Sequence, residues 1–341
     1  MVDKMRVLHG PLETANQMGT LAKGLNKNGV YCRTINMIKS YLSYEQEYQL
    51  SPIWHRGATK REVLTFLKKR CIPIFDIFDF HAGYRSFTQD YADIQLLHNE
   101  KKPMVIHHWG SEVRSLNKAL KINPYAKVKE GFPPEKIDRM LRFLSSKIKY
   151  CITQDSEIHH YVKDYYEKTY VVPVMIDLDN YKVNIKKHSD RPLIVHAPTH
   201  KGIKGTDEIL KVIDILSREF DFDFRLIKGY AHAEAKKLYA EADLVIDQLH
   251  LGVYGMVSIE AMAMGKPSVC YVSDFMLKHY PNDLPVINAN QHTLLSVMRL
   301  VLKNRDSLPE IGKKSREFVE KRHDMMKNSL EVKKIYEEIL S

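Results

Sequence analysis

The sequence predicts an α/β protein that contains two doubly wound parallel sheets in succession. Short apolar runs alternate with helical patterns in both halves of the chain, which is the βαβ rhythm of a parallel sheet covered by helices. The rhythm stops over residues 177–191, which are polar and have no apolar period. It then restarts, so the 341 residues divide into two domains of ordinary size.

Each element of the first half is predicted from its apolar period. Strands are expected over residues 4–9, 76–81, 104–108, 149–153 and 169–172. Helices are expected over residues 14–26, 91–99 and 156–166. The first of these helices ends before Asn28-Gly29, which is a common stop signal. We therefore predict a first domain over residues 1–178.

The second half repeats the alternation after a linker at residues 179–191. Strands are expected over residues 193–196, 223–227, 244–246 and 268–272. Helices are expected over residues 207–218, 233–240 and 258–264, and the chain is mostly helical from residue 294. We predict a second domain over residues 192–341, with the last helix, about residues 330–340, crossing back onto the first domain.

Composition places the chain among ordinary globular proteins of the cytoplasm. It is 44% apolar and 28% charged, and no run approaches the ~18 apolar residues that span a bilayer. The amino terminus leads directly into a strand pattern, so we expect no secretory signal. The four cysteines are scattered, so we expect reduced thiols, no disulfide framework and no metal site.

The positive charge is concentrated in the first half. Residues 1–178 carry 27 Lys and Arg against 19 Asp and Glu, a net +8, whereas residues 179–341 carry 25 against 23, a net +2. The densest stretch contains Arg114, Lys118, Lys121, Lys127, Lys129, Lys136, Arg139, Arg142, Lys147 and Lys149. Such a surface attracts anionic membrane or nucleic acid, and a solvated helix face is the alternative. No motif typical of nucleic-acid binding accompanies it, so we expect no nucleic-acid partner.

A loop with two lysines follows the first strand of the second half. It runs from Ala197 to Thr206, contains Lys201, Lys204 and Gly205, and precedes a helix. Lysine ammonium groups and the free N–H groups of a helix N-terminus suit a diphosphate. A lysine-rich turn with glycines for geometry is the alternative interpretation.

A glycine loop in the second half is the most informative segment of the chain. It runs from Gly252 to Pro267 and follows a strand that ends in Asp247-Gln248. Its glycines allow a ligand to approach the backbone, and Glu260, expected at the start of a helix, can accept bonds from a sugar diol. Glu260 could instead complement the helix dipole. Asp247 and Gln248 could contact a nucleotide or cap the loop.

The candidate functional residues of the first half lie at the ends of predicted strands or in the loops that follow them. His107 and His108 precede a Gly-Ser turn, and as neighbours on a strand they point to opposite faces. Arg114 could bind a phosphate or pair with Glu112. The loop after the first strand, which contains Gly10, Asn16 and Gln17, could line an acceptor site. Asp79 or His81 could reach the site, although support of the core is the simpler role.

Taken together, these segments resemble a GT-B glycosyltransferase, most closely one of glycosyltransferase family 4. The motifs are residues 107–114, Val172-Pro173, Lys201 with Lys204-Gly205, and residues 255–267. The resemblance covers nearly the whole chain. It implies two Rossmann-like doubly wound domains facing a central cleft, with the nucleotide sugar on the second domain and the acceptor on the first. It also implies retaining transfer without a metal ion or other cofactor.

The resemblance also implies residue roles. His107, with His108 as the alternate, would be the catalytic histidine, and Lys201 and Lys204 would stabilise the leaving diphosphate. Glu260 matches the second Glu of a pair in the family and would bind the ribose. Gly252 stands where the family has the first Glu of that pair, which lies beside the donor sugar. The donor-binding set is Gly205, Asp247, Val253, Tyr254, Gly255, Met256, Val257 and Glu260. The acceptor side is Gly10, Asn16, Gln17 and Arg114.

The resulting hypothesis is a cytoplasmic glycosyltransferase, peripheral at the inner face of the cell membrane. It would transfer a sugar from a nucleotide sugar, with a UDP-sugar as the expected donor, to a glycan or lipid-linked cell-surface acceptor. One alternative is a GT-B sugar-nucleotide epimerase or phosphorylase. The other is a nucleotide-binding protein that has lost catalysis, since Gly252 replaces a carboxylate of the family.

Overall fold

The chain forms two compact units. A computed structural model describes residues 4–37, 58–185 and 190–341. The first unit consists of the described residues within Met1–Ser115, Glu130–Asp177 and Asp324–Ser341, and the second of those within Leu116–Lys129 and Leu178–His323. The second unit is therefore inserted in sequence between segments of the first.

A six-stranded parallel sheet forms the centre of the first unit. Its strands are β1 (Arg6–Pro11), β2 (Tyr31–Thr34), β3 (Ile77–His81), β4 (Met104–His108), β5 (Tyr150–Thr153) and β6 (Lys168–Val171). They lie in the order β2-β1-β3-β4-β5-β6, with every neighbouring pair parallel. The direction of winding reverses between β1 and β3, and ligands of doubly wound sheets bind beside such a reversal, at the carboxyl ends of the strands.

Helices cover this sheet. They are α1 (Gln17–Lys27), α2 (Lys60–Phe66), α3 (Ala92–Asn99), α5 (Pro134–Ser145), α6 (Ser156–Val162) and α14 (Met325–Leu340). A π-helical turn, Leu67–Cys71, continues α2. One apolar core joins strand residues such as Val7, Ile77 and Val105 to α1 and to α14. Burial of both sheet faces explains why β1, β3 and β4 are mostly apolar, and the histidine and aspartate side chains that they carry are buried as well.

The second unit has a five-stranded parallel sheet. Its strands are β7 (Leu193–His196), β8 (Asp223–Leu226), β9 (Leu244–Ile246), β10 (Ser268–Cys270) and β11 (Ile287–Asn288). The order is β11-β10-β9-β7-β8, so the winding reverses between β7 and β9. Its helices are α4 (Leu116–Ala119), α7 (Lys201–Lys204), α8 (Thr206–Leu216), α9 (His232–Glu241), α10 (Met256–Ala263), α11 (Asp274–Leu277), α12 (Leu294–Lys303) and α13 (Leu308–Arg322).

The structure confirms the α/β class and the two parallel sheets. It adds β2 and β11, which the sequence did not predict because each is a short edge strand. The helix predicted over residues 156–166 ends earlier, at Val162. No helix in the described part of the chain combines the length and the apolarity needed to cross a bilayer.

Two segments belong to a different unit from the residues that precede them in sequence. Residues 116–129 group with the second unit, and α14 packs on α1 in the first. The predicted linker contains a 3₁₀ turn, Leu178–Asn180, and the buried side chain of Tyr181. Residues 186–189 of that linker lie outside the described residues.

The contact between α1 and α14 depends on a glycine, which gives a test of the fold. A Cβ atom at Gly24 would lie 2.4 Å from Ser329 Oγ and 2.7 Å from Ser329 Cβ. We expect Gly24→Ala to lower the free energy of unfolding by about 1–3 kcal/mol, because overpacking strains a closely packed interface. Urea denaturation followed by circular dichroism measures this. The double variant Gly24→Ala/Ser329→Gly should recover part of the loss, and equal effects of the single and double variants would contradict the proposed contact.

Candidate functional site

The site of the second unit lies where its sheet reverses direction, at the carboxyl ends of β7 and β9. His196 ends β7 and is fully buried. Its Nδ1–H donates to the Ile246 carbonyl at 2.8 Å, and its Nε2 accepts from the Thr206 hydroxyl at 3.0 Å. Burial lowers the pKa of His196 to about 4, so the ring is neutral and can hold both bonds. It joins both strands to the first residue of α8.

A buried ion pair lies at the centre of this site. Lys204 Nζ donates to Asp247 Oδ1 at 2.5 Å and to Gln248 Oε1 at 2.8 Å. Both charged side chains are buried. Burial acts to raise the pKa of Asp247, but Lys204 and the bonds from Ser258 and Gly255 outweigh it and lower the pKa. The carboxylate is therefore ionised and compensated by the lysine.

The second oxygen of Asp247 fixes the start of α10. Oδ2 accepts from the Gly255 N–H at 3.0 Å and from Ser258 Oγ at 2.8 Å. A Cβ at position 255 would lie 2.9 Å from this oxygen and 3.2 Å from Lys204 Nζ. Only glycine lets the loop close on the ion pair without displacement. Asp247 thus caps the loop from inside, which was one of its two predicted roles.

The two lysines of the predicted phosphate loop have different surroundings. They lie on α7, a one-turn helix rather than the predicted loop, because the His200 side chain accepts from the Ile203 N–H at 3.3 Å and caps the turn. Lys204 is buried in the ion pair, whereas Lys201 is exposed, and among the described residues no carboxylate pairs with it. Gly205 has a φ of +74° and connects α7 to α8.

Most side chains at the start of the glycine loop are buried, so a ligand would contact mainly the backbone of the loop. Val253 is buried and its carbonyl accepts from Gln248 Nε2 at 2.5 Å. Tyr254 is buried, stacks on Tyr280 and bonds His323 at 3.0 Å. Gly255 and Met256 are partly exposed, and Val257 is buried. The N-cap residue of α10 is Gly255, which has no side chain of its own to cap the helix. Contact of Tyr254 with a ligand would have to come from its backbone.

Glu260 lies deeper in its helix than the sequence indicated. The prediction that it starts the helix is wrong, because Gly255 is the N-cap and Glu260 is the fifth residue of α10. Its Oε1 accepts from Tyr181 Oη at 2.9 Å and lies 2.5 Å from His232 Nε2. No bond from another described residue falls on Oε2, so one oxygen remains for a ligand.

Gly252 has a conformation that excludes the family's acidic residue. Its φ is +73°, and a Cβ would lie 2.9 Å from Asn123 Nδ2 and 3.0 Å from Ser273 Cβ. Asn123 in turn donates to the His250 carbonyl at 2.8 Å. A glutamate at this position would require a different loop.

The histidines predicted for the first unit are buried at the end of β4. His107 Nε2–H donates to Asp79 Oδ2 at 2.9 Å, and its ring stacks on those of His81 and Trp109. His108, on the other face, bonds the Tyr166 hydroxyl at 2.8 Å and lies 3.6 Å from Glu112. Asp79 therefore orients His107, which agrees with the simpler role expected for it.

Arg114 forms an ion pair that the sequence did not indicate. Its Nε and Nη2 atoms each donate a hydrogen bond of 2.8 Å to Glu157 on α6, and both side chains are buried. The expected pairing with Glu112 is wrong, since Glu112 accepts from the Trp109 and Gly110 N–H groups instead. A bidentate buried pair leaves Arg114 little capacity for a phosphate.

The predicted acceptor loop is held mainly by internal bonds. Gln17 is buried and exchanges two bonds with the backbone of Met175, at 3.1 and 2.8 Å. Gly10 packs against Phe87, and Asn16 has a left-handed φ of 61°. Glu13 accepts from the Met18 and Gly19 N–H groups at the start of α1. Burial nevertheless raises the pKa of Glu13 to about 7.

Several residues of these sites were missed by sequence reasoning. They are His196, Ser258, His232, Tyr181 and Glu157, and each acts through a partner ten or more residues away in sequence. A polar residue in an otherwise apolar strand, as at His196, was the one local signal that could have been used.

The Lys204–Asp247 pair gives a test of this geometry. We expect Lys204→Met to lower the free energy of unfolding by about 3–5 kcal/mol, because it leaves the buried Asp247 carboxylate uncompensated. The double variant Lys204→Met/Asp247→Leu should be more stable than the single one. Arg299→Met, which removes an exposed bidentate pair with Glu219, is the matched control and should leave the urea midpoint nearly unchanged. Equal effects of Lys204→Met and Arg299→Met would refute the central role of the buried pair.

Comparison with solved structures shows which fold these sites belong to. The chain is similar to sucrose-phosphate synthase from Thermosynechococcus elongatus, with a TM-score of 0.68, 11% identity, and coverage of 98% of this chain and 99% of that one. It is similar to HepE from Anabaena in complex with UDP-glucose, with a TM-score of 0.66, 12% identity, and coverage of 98% and 100%. It is also similar to a glycosyltransferase from Rickettsia africae, with a TM-score of 0.68, 13% identity, and coverage of 99% of both chains.

The comparisons by sequence give no relative. No family model matches the chain, and no curated protein matches it significantly. The similarity to these solved structures extends over nearly the full length of each chain. At these sequence identities it shows the fold alone. The chain has the GT-B fold of these glycosyltransferases.

Proposed function

We propose that the protein is a glycosyltransferase that takes its sugar from a nucleotide sugar, with a UDP-sugar as the donor. The observation that carries the proposal is the glycine loop at the reversal of the second sheet. There the N-terminus of α10, the exposed Lys201 and an oxygen of Glu260 that accepts no bond from the other described residues occur in one unit. The fold supports it, since HepE is described in complex with UDP-glucose.

The parts have separate roles in this proposal. The N-termini of α8 and α10 and the Lys201 ammonium would bind the diphosphate. Lys204 uses two of its three protons on Asp247 and Gln248, so its remaining proton would be directed to the same group. Glu260 would accept bonds from the ribose through Oε2. Family 4 membership and His107 as the catalytic histidine belong to the same proposal.

The chemistry follows from where charge develops. When the glycosidic bond breaks, negative charge accumulates on the departing diphosphate, and fixed N–H groups and ammonium groups lower the free energy of that state. We propose that these groups act there without a divalent ion. The sugar would be transferred with retention at its anomeric carbon to a glycan or lipid-linked acceptor. Retention and metal independence are taken from the resemblance to family 4.

Turnover assays separate this function from its alternatives. Incubation with a panel of UDP-, GDP- and ADP-sugars without acceptor would reveal an epimerase by isomerised sugar, or a phosphorylase by phosphate-dependent turnover. Binding of one nucleotide with no turnover across glycan and lipid-linked acceptors would indicate a protein that has lost catalysis.

Lys201 gives a direct test of the diphosphate site. We expect Lys201→Ala to weaken UDP binding by about tenfold or more, because it removes a charge-assisted contact to phosphate. UMP binding should change much less, since UMP lacks the second phosphate. Isothermal titration calorimetry measures both affinities. Lys211→Ala, which removes an exposed lysine on α8, is the control. Equal UDP affinity of Lys201→Ala and the wild type would contradict the assignment of Lys201 to the diphosphate site.

We also propose peripheral binding to anionic membrane, at the inner face of the cell membrane. The supporting observation is α5, which buries Ile137, Leu141 and Leu144 and exposes Lys136 and Arg139 on its other side. Basic residues near an anionic bilayer contribute about 1 kcal/mol each. They would bring the enzyme to lipid-linked acceptors.

Vesicle co-sedimentation tests this surface. At low salt, we expect vesicles with anionic lipid to retain the protein and neutral vesicles not to retain it, because the attraction is electrostatic and screened by salt. Lys136→Glu/Arg139→Glu should abolish retention, whereas Lys211→Glu/Lys313→Glu, an exposed pair of the second unit, should weaken it much less. Equal loss in both double variants would show that net charge alone, and not α5, accounts for binding.

A further inference from the structure

A cluster of metal-ligand side chains lies at the carboxyl ends of β1 and β3, where the first sheet reverses direction. His9 lies two residues before the end of β1 and is in register with Asp79, and His81 lies two residues after Asp79 on the same sheet face. All three side chains are fully buried or nearly so. Within the described residues they form the group of His, Cys, Asp and Glu whose atoms are close enough to share an ion.

The distances in this cluster suit a four-coordinate ion. His9 Nδ1 is hydrogen-bonded to His81 Nε2 at 2.8 Å. His9 Nδ1 lies 3.9 Å from Asp79 Oδ2, and His81 Nε2 lies 3.9 Å from Asp79 Oδ1. Zinc ligands at ~2.0–2.1 Å in a tetrahedron are about 3.3 Å apart. An ion would therefore replace the His9–His81 hydrogen bond, separate these two nitrogens by about half an ångström and draw one Asp79 oxygen closer to both. We propose that His9, Asp79 and His81 bind a divalent transition metal of the zinc type.

The hydrogen bonding of the cluster is incomplete without such an ion. Asp79 Oδ1 is buried and has no hydrogen-bond partner among the described residues. The described chain also pairs no lysine or arginine with Asp79, in contrast to the buried Asp247. A buried carboxylate oxygen without a partner is unfavourable, and a cation bound through Oδ1 would satisfy that oxygen and balance the charge.

The other oxygen of Asp79, Oδ2, accepts hydrogen bonds that would orient the carboxylate towards a metal ion. Oδ2 accepts from His107 Nε2 at 2.9 Å and from the hydroxyl of Tyr336 on α14. Metal-bound carboxylates are typically oriented by such outer hydrogen bonds. The three protein ligands leave one position of a tetrahedron for water. The ion would connect β1 and β3 directly and β4 and α14 through Asp79, which is a structural role in the first unit.

This site differs from the sequence prediction of no metal. The donors come from strands about 70 residues apart, so no local spacing could have revealed them. The proposal does not depend on the proposed transfer reaction, which places its charged groups on the second unit. The metal content of the protein tests the proposal independently of any transfer activity.

The test is a metal analysis of the full chain. After exposure to Zn²⁺ and removal of loosely bound ion on a chelating resin, the wild type should retain about one equivalent, because a buried site releases its ion slowly. Its melting temperature should fall when the ion is extracted. In Co²⁺-loaded protein, absorption typical of four-coordinate nitrogen and oxygen ligands should appear and saturate at about one equivalent.

Two variants and a control locate the ion. We expect His9→Asn and Asp79→Asn to weaken Zn²⁺ binding by about a hundredfold or more, since loss of an outer-sphere partner alone costs 10- to 100-fold. His98→Gln, which removes an exposed histidine on α3, should bind normally. A folded wild type that retains no zinc would overturn the proposal and leave a hydrogen-bonded histidine network. Full zinc retention by folded His9→Asn would overturn it as well. If neither variant folds, the stoichiometry and Co²⁺ spectrum of the wild type decide.

Discussion

The carboxylate of Asp247 is the constraint on which the second unit's site depends. One oxygen binds the ammonium of Lys204, and the other binds the Gly255 N–H and the Ser258 hydroxyl. The end of β9, the turn α7 and the start of α10 are therefore held by a single buried group. The positions of the N-terminus of α10 and of Lys201 follow from it. Electrostatic preorganisation of this kind requires that the groups be fixed before a ligand arrives.

The fold could be predicted from the sequence because buried parallel strands leave a strong local signal. Short, mostly apolar runs between helical patterns were sufficient for β1, β3 and β4, although each of these strands contains a histidine. The edge strand β2 alternates buried and partly exposed residues over four positions, which is too short a pattern to separate from a loop. The site was predictable only as a region. Lys201 and Lys204 look alike in sequence, and burial, which separates them, depends on β9 more than 40 residues away. The ion pair of Arg114 with Glu157 was not predicted for the same reason, because the two residues lie far apart in the sequence.

Gly252 shows how one backbone conformation bears on specificity. With a positive φ and neighbours on two sides, it would carry the acidic side chain of the resembling family only with strain. In the proposed function, contact with the donor sugar would then come from backbone groups or from another segment. Backbone contacts recognise hydroxyl geometry without adding charge.

The order of the chain has a consequence for how the protein folds during synthesis. Tyr336 and the other buried residues of α14 complete the core of the first unit, yet they are translated after the entire second unit. The second unit can therefore acquire its complete set of contacts on the ribosome, while the first exposes an apolar face of β1, β3 and α1 until α14 emerges. During that interval the nascent first unit, rather than the second, is the part of the chain that chaperones would protect.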